Sequence, residues 1–184
     1  DDASPDLATW SRWGPALMSL GHTYIRKEQR GGCHAAWNTG IEATRPTADV
    51  LLLGSDVVVP PLLLEKMSLA LTPGQGLRAK DLTAREFSPL MLGPLMGSQQ
   101  APATFKKDQG IGSCCLISRA ALAKVGAFDP QFVMTFGDSD WNHRARSAGV
   151  FIDEVTWAVF HGKSVSRKRI GAEEDLKDDL ADQL

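Results

Sequence analysis

The sequence has no apolar run approaching the roughly 20 residues needed to span a membrane. It has few cysteines: Cys33, Cys114 and Cys115, an odd count with no Cys-x-x-Cys pair. That argues against a disulfide framework or a zinc knuckle and for reduced core thiols in a cytosolic protein. It lacks an excess of positive charge. The formal net charge is −2, so no global basic field points to nucleic acid. The one basic patch, from Lys163 to Arg169, is short. Internal repeats and low-complexity tracts are absent, and Asp1-Asp2-Ala3-Ser4 does not read as a signal peptide. What is present is ordinary globular composition, with 43% hydrophobic and 23% charged residues over 184 positions, which suits one domain with a substantial core.

Alternating helix and strand signals run along the chain. Ser4-Pro5 reads as a helix start, with a break or kink at Gly14-Pro15 and a stop at Gly21. Thr23 to Lys27 is a strand candidate. A helix over 33–44 would place Trp37, Ile41 and Thr44 on one face. Val50 to Leu53 is an unbroken apolar run, as in a parallel strand buried on both faces. Pro60-Pro61 opens a helix with Leu64, Met67 and Leu71 on one face. A strand near Leu77 to Lys80 leads into a long loop reaching residue 110, and loops of that length are more often functional than idle. Cys114 to Ser118 reads as a buried strand, Arg119 to Val125 as a short helix and Asp138 to Ala148 as a longer one closed by Gly149. Two strands are expected near 150–153 and 156–160. Residues 163–184 form a charged tail, in which Leu176, Leu180 and Leu184 would stripe a helix. The pattern predicts an α/β domain over 1–184 with a mostly parallel central sheet flanked by helices.

Three places carry candidate chemistry. Asp56 follows the carboxyl end of a buried strand, the edge where open α/β sheets bind ligands. A carboxylate there can hold Mg²⁺ or Mn²⁺ through oxygen, or can simply be a turn residue or helix cap. Phe136-Gly137-Asp138-Ser139-Asp140-Trp141 sets two acids before a helix, where they serve as caps or as a general base. His161 lies just past the last strand, as a metal ligand or a solvated imidazole.

In order and spacing these motifs resemble family 2 glycosyltransferases. Asp1-Asp2-Ala3-Ser4-Pro5-Asp6 resembles the Asp-Asp-x-Ser-x-Asp motif. Arg30-Gly31-Gly32 through Ala35-Ala36-Trp37-Asn38-Thr39-Gly40-Ile41 resembles the glycine loop and Ala-x-Asn-x-Gly helix. Leu51 to Pro60 resembles the strand and Asp-x-Asp metal motif. Cys115 to Arg119 and Val125 to Asp129 resemble the segment leading to the acceptor site. Phe136 to Ala148 resembles the Glu-Asp-x-Asp-Trp helix, and Val159-Phe160-His161 the last metal-ligand strand.

The resemblance implies a GT-A fold of rhamnosyltransferase-like type and an inverting transfer from a nucleotide-diphosphate sugar to an acceptor hydroxyl. The acceptor would be a glycan, a lipid-linked sugar or a protein. It implies Mn²⁺ or Mg²⁺ held by Asp56 and His161, and Asp138 as catalytic base. Asp1 or Asp2 would accept from the nucleotide base. Gly31, Asn38 and Ser55 would belong to the donor site, and Lys163 and Arg167 would reach the phosphates. It implies a cytoplasmic protein, including a peripheral place at the inner membrane face.

Three departures stand out. The family opens with a strand and helix before the Asp-Asp motif, so the chain is expected to be a fragment lacking its first strand, to receive that strand from another polypeptide, or to have a trimmed fold. Gly54 stands where the first Asp of the metal motif is common, and Gly137 where Glu is usual. They favour the alternative of a non-catalytic binding or assembly module of the same fold.

Overall fold

The computed structural model describes residues 1–4, 7–82, 106–133 and 135–161. The expected phosphate-binding residues Lys163 and Arg167, the striped tail helix and most of the long loop lie outside the described residues.

Among the described residues the elements run α1 (Leu7–Ser19), α2 (Gly32–Ala43), β1 (Val50–Leu53), β2 (Val57–Val58), α3 (Leu63–Ala70), β3 (Gly76–Leu82), β4 (Cys114–Ile117), α4 (Arg119–Val125), α5 (Gly137–Ser147) and β5 (Ile152–His161). The five strands form one sheet in the order β1-β4-β3-β5-β2. The protein is therefore mixed α/β.

The expectation of a mostly parallel sheet is corrected. Only β3 and β5 pair in parallel, while β1–β4, β3–β4 and β2–β5 are antiparallel. One reversed strand explains most of this. Since β4 is antiparallel to both β1 and β3, those two point the same way, and β5 points with them. Inserting β4 between β1 and β3 turns two neighbour pairings antiparallel while three strands keep a common direction. An apolar run reports burial, not direction, so the periodicity of β1 and β4 was silent on this.

Two cores form, one on each sheet face, and the alternation of β1, β4 and β5 feeds both. Val50, Leu52, Cys115, Ile117 and Ile152 join Ala121 and Leu122 of α4 and Trp141 and Ala145 of α5, with Trp37 and Ile41 of α2 packed on them. Leu77, Ala79, Cys114, Leu116, Val155 and Val159 join Leu63 and Met67 of α3 on the other face. β4 is buried along its whole length because it serves both.

Several local expectations shift. Pro15 lies inside a continuous α1. That helix ends as expected at Gly21, with φ 81°. The His22 N–H bonds to the Leu17 carbonyl and the Gly21 N–H to the Met18 carbonyl, the paired bonds of a Schellman stop. Thr23 to Lys27 is not a strand of the sheet. Its backbone instead bonds to residue 1: the Asp1 ammonium donates to Ile25 O at 2.8 Å, and Lys27 N–H to Asp1 O at 3.0 Å. Helix α3 starts at Leu63, after Leu62 takes a left-handed φ of 64°. That phase turns Leu63 and Met67 inward and leaves Leu64 48% exposed. Thr44 is exposed and caps α2 rather than facing the core. The two strands expected near 150–160 are one, β5, whose register jumps: four residues of β5, from Glu154 to Ala158, advance against two of β3. No helix among the described residues is long and apolar enough to cross a membrane.

Candidate active site

The carboxyl ends of β1, β3 and β5 lie at one edge of the sheet, together with the start of β4. This follows from their shared direction. Asp56 follows β1, Asp81 sits near the end of β3, Ser113 precedes β4 and His161 ends β5. The β2–β5 pairing sets Val57 opposite His161, which brings the neighbouring Asp56 to the imidazole. Asp56 Oδ2 is 3.5 Å from His161 Nε2, and both side chains are about a quarter exposed. Asp81 Oδ2 approaches the other ring nitrogen, Nδ1, at 3.8 Å. The Ser113 hydroxyl donates to Asp81 Oδ1. Ser55 is exposed in the turn beside Asp56.

The donor set of Asp56 and His161 fits a divalent cation. Two ligands of one ion at about 2.1 Å are separated by roughly 3.0–3.4 Å, close to the separation here. Among the described residues no three His, Cys, Asp or Glu side chains form a ready metal cage. The reason is geometric, because Asp81 faces the opposite nitrogen of the same ring. Two protein ligands with the remaining positions filled by water and phosphate oxygens suit Mg²⁺ and Mn²⁺, which keep several such ligands.

Gly54 has a structural reason. A Cβ there would lie 3.2 Å from Asp56 Oδ1 and 3.1 Å from a Val57 methyl. Its N–H is bound to Ser113 O at 2.8 Å, holding the turn against β4.

A second group of expected residues gathers where α2 and α5 begin. Asp2 accepts from the N–H groups of Gly31 and Gly32, at 3.0 and 2.7 Å, and from Lys27 at 2.6 Å. It thus serves as the cap that α2 lacks in its own sequence. Burial alone would raise its pKa, but the Lys27 hydrogen bond, the two backbone donors and the Lys27 charge hold it below the usual 3.8. Asp1 is engaged as well, accepting from Tyr24, Arg26 and the Ser4 N–H. In this structure both carboxylates expected at the nucleotide base hold the chain together. Gly31 donates to Asp2, and Asn38 bridges Phe128 in both directions: its amide donates to the carbonyl and accepts from the N–H, at 2.8 and 2.9 Å.

Asp138 stands in the first turn of α5, half-buried, accepting from the Ser139 N–H at 2.8 Å. Burial pushes the Cys33 thiol up to about 11, and the nearby charges of Asp138 and Asp2 add to the rise. Burial likewise drives Cys114 to about 11, with Asp81 adding to it, and Cys115 to about 12. All three are free thiols that stay protonated near neutrality.

Asp140 is expected to cap α5 but pairs instead with Arg144, one turn on, at 2.9 Å. Arg144 extends the contact to the carbonyls of Val125 and Ala127, tying α5 to the end of α4. The cap position is held by Phe136 at φ 62° with no side-chain bond. Gly137 faces His34, whose ring fills the space a side chain would need. His34 is 3% exposed, bonds through Nδ1 to Phe132 O at 2.8 Å and joins Trp37, Phe128 and Trp141 in an aromatic stack.

Sequence reasoning missed Asp81, Ser113 and His34. Asp81 carried a usable signal, since it follows an expected strand just as Asp56 does. No protein-family model matches the chain, and no curated protein matches it.

Proposed function

We propose that the protein is an inverting glycosyltransferase of family 2 type, with a GT-A arrangement, using a nucleotide-diphosphate sugar and a divalent cation. The observation that carries the reading is the meeting of Asp56 and His161, far apart in sequence, at 3.5 Å where β1, β3 and β5 end, the edge at which open α/β sheets bind ligands. A bound Mn²⁺ or Mg²⁺ would supply charge stabilisation to a departing diphosphate. Asp56 and His161 would hold it. Asp138 takes the acceptor hydroxyl proton as that oxygen bonds the anomeric carbon; the bond to the diphosphate breaks and its electron pair leaves with the diphosphate. The half-exposed place of Asp138 leaves its carboxylate accessible to an acceptor, and Asp140, tied to Arg144, keeps a structural role. The test is calorimetry of nucleotide diphosphates with and without Mn²⁺, followed by transfer assays across donors. Binding that ignores Mn²⁺ would overturn the metal site.

One observation favours a non-catalytic binding or assembly module of similar fold. Asp1 and Asp2 are both committed within the chain, so a nucleotide base would have to displace existing bonds to use them. Mn²⁺-dependent nucleotide binding without turnover, across a full donor panel, would establish this second reading.

A further inference from the structure

The described residues enclose a cavity of about 520 Å³ at the starts of β3 and β5, the sheet edge opposite Asp56 and His161. That volume is within the range of about 300–1,000 Å³ usual for small-molecule sites. Its apolar wall is Leu77 and the ring of Phe151, which is 44% exposed although its backbone is fixed. The Phe151 N–H donates to Gln75 Oε1 at 2.6 Å, and its carbonyl accepts from the Gly76 N–H at 3.0 Å. Facing that wall are Lys107, Asp108 and Asp153. Lys107 Nζ lies 2.8 Å from Asp153 Oδ2, the Asp108 N–H donates to Asp153 Oδ1 at 2.9 Å, and Arg146 holds Asp108 Oδ2 at 2.6 Å. The polar groups are thus set in place before any ligand arrives, which lowers the ordering cost of binding.

We propose that this cavity is a second binding site and takes a neutral saccharide, with one sugar ring against Phe151 and its hydroxyls on Asp153, Asp108 and Lys107. Two observations select that class. Lys107 is matched by Asp153 and Arg146 by Asp108, so the lining carries balanced charge and favours a neutral ligand over an ionic one. An aromatic ring opposite fixed carboxylates suits a molecule with one C–H face and a rim of hydroxyls. A carboxylate offers about four acceptor positions, more than the bonds within the protein use here, and hydrogen bonds to charged groups are the stronger kind. The site needs neither the metal nor the transfer reaction, so it stands or falls separately from the function proposed above.

The experiment titrates the full chain, labelled with ¹⁵N and free of metal and nucleotide. The probes are the methyl glycosides of glucose, galactose, mannose, rhamnose and N-acetylglucosamine, the disaccharides maltose and lactose, and inorganic phosphate. At least one sugar should bind saturably, with a Kd of about 1 mM, and move the amide signals of Leu77, Asp108, Phe151 and Asp153. Phe151→Ala should weaken that binding about tenfold, whereas Phe151→Tyr keeps the ring face and should stay near the parent. A panel in which no sugar moves these signals overturns the proposal, and so do shifts centred on Asp56 and His161 instead. Saturable phosphate binding in the cavity would overturn the choice of a neutral ligand. Unchanged affinity in folded Phe151→Ala would remove the stacking contact that the proposal rests on. The parent titration decides the matter even if that variant fails to fold.

Discussion

Replacing Gly137 by alanine tests the packing that separates this chain from the pattern it resembles. The added Cβ would lie 2.6 Å from both Cε1 and Nδ1 of His34, against an ordinary carbon contact of about 3.5–4.0 Å. The ring would have to withdraw by about 1 Å. It has nowhere to go. It is 3% exposed, meets Trp37 edge-on at 5.3 Å between ring centres, and lies 5.9 Å from Phe128. Overpacking of a filled core costs about 1–3 kcal/mol. Displacing the His34 bond to Phe132 O adds about 1 kcal/mol. Alanine's helical advantage over glycine returns up to about 1 kcal/mol. The net expectation is destabilisation of about 1–3 kcal/mol, read in urea as a lower midpoint at unchanged slope. His34→Ala should make room, so the double variant should be more stable than the sum of the two single losses, with coupling near 1 kcal/mol or more. A Gly137→Ala protein as stable as the parent, or strict additivity with His34→Ala, would refute the reasoning. A glutamate at 137, as the family pattern has it, should cost more than alanine.

Asp138→Asn keeps size and removes the proton acceptor, so it should abolish transfer while leaving donor binding and melting temperature near the parent's; activity close to the parent's would remove Asp138 as the base. Asp56→Ala should eliminate the Mn²⁺-dependent part of nucleotide diphosphate binding in calorimetry, and unchanged Mn²⁺ dependence would sink the site. Asp2→Ala should cost about 1 kcal/mol at pH 7, as loss of a helix cap does. Because the folded Asp2 pKa is depressed, its stabilisation is present above the unfolded value of 3.8 and is lost as pH falls through the lower folded value. The stability gap between parent and Asp2→Ala should therefore narrow in that acid range, and a gap constant from pH 7 to pH 2 would contradict the assignment.

The sequence by itself determined most of the elements, because burial and capping leave local marks. The apolar Val50 to Leu53 run, the Gly21 stop and the Gly126 end of α4 all stand where composition put them. It also pointed to Asp56 and His161, each marked by its place after a strand. Strand direction was not legible, since a buried run reads the same either way, and it took the tertiary structure to set β4 reversed between β1 and β3. The same holds for what the polar side chains do. Asp2 reads as a ligand residue in its motif, yet the orphan N–H groups of α2, 29 and 30 residues away in sequence, claim it. Asp140 reads as a cap, yet Arg144 holds it. Asp81 carries only its place after a strand and Ser113 no signal at all, and they meet each other and His161 only at the sheet edge. Hydrogen bonds and charge contacts act over a few ångströms of space rather than along the chain, so only the folded arrangement decides which carboxylate is left for a ligand.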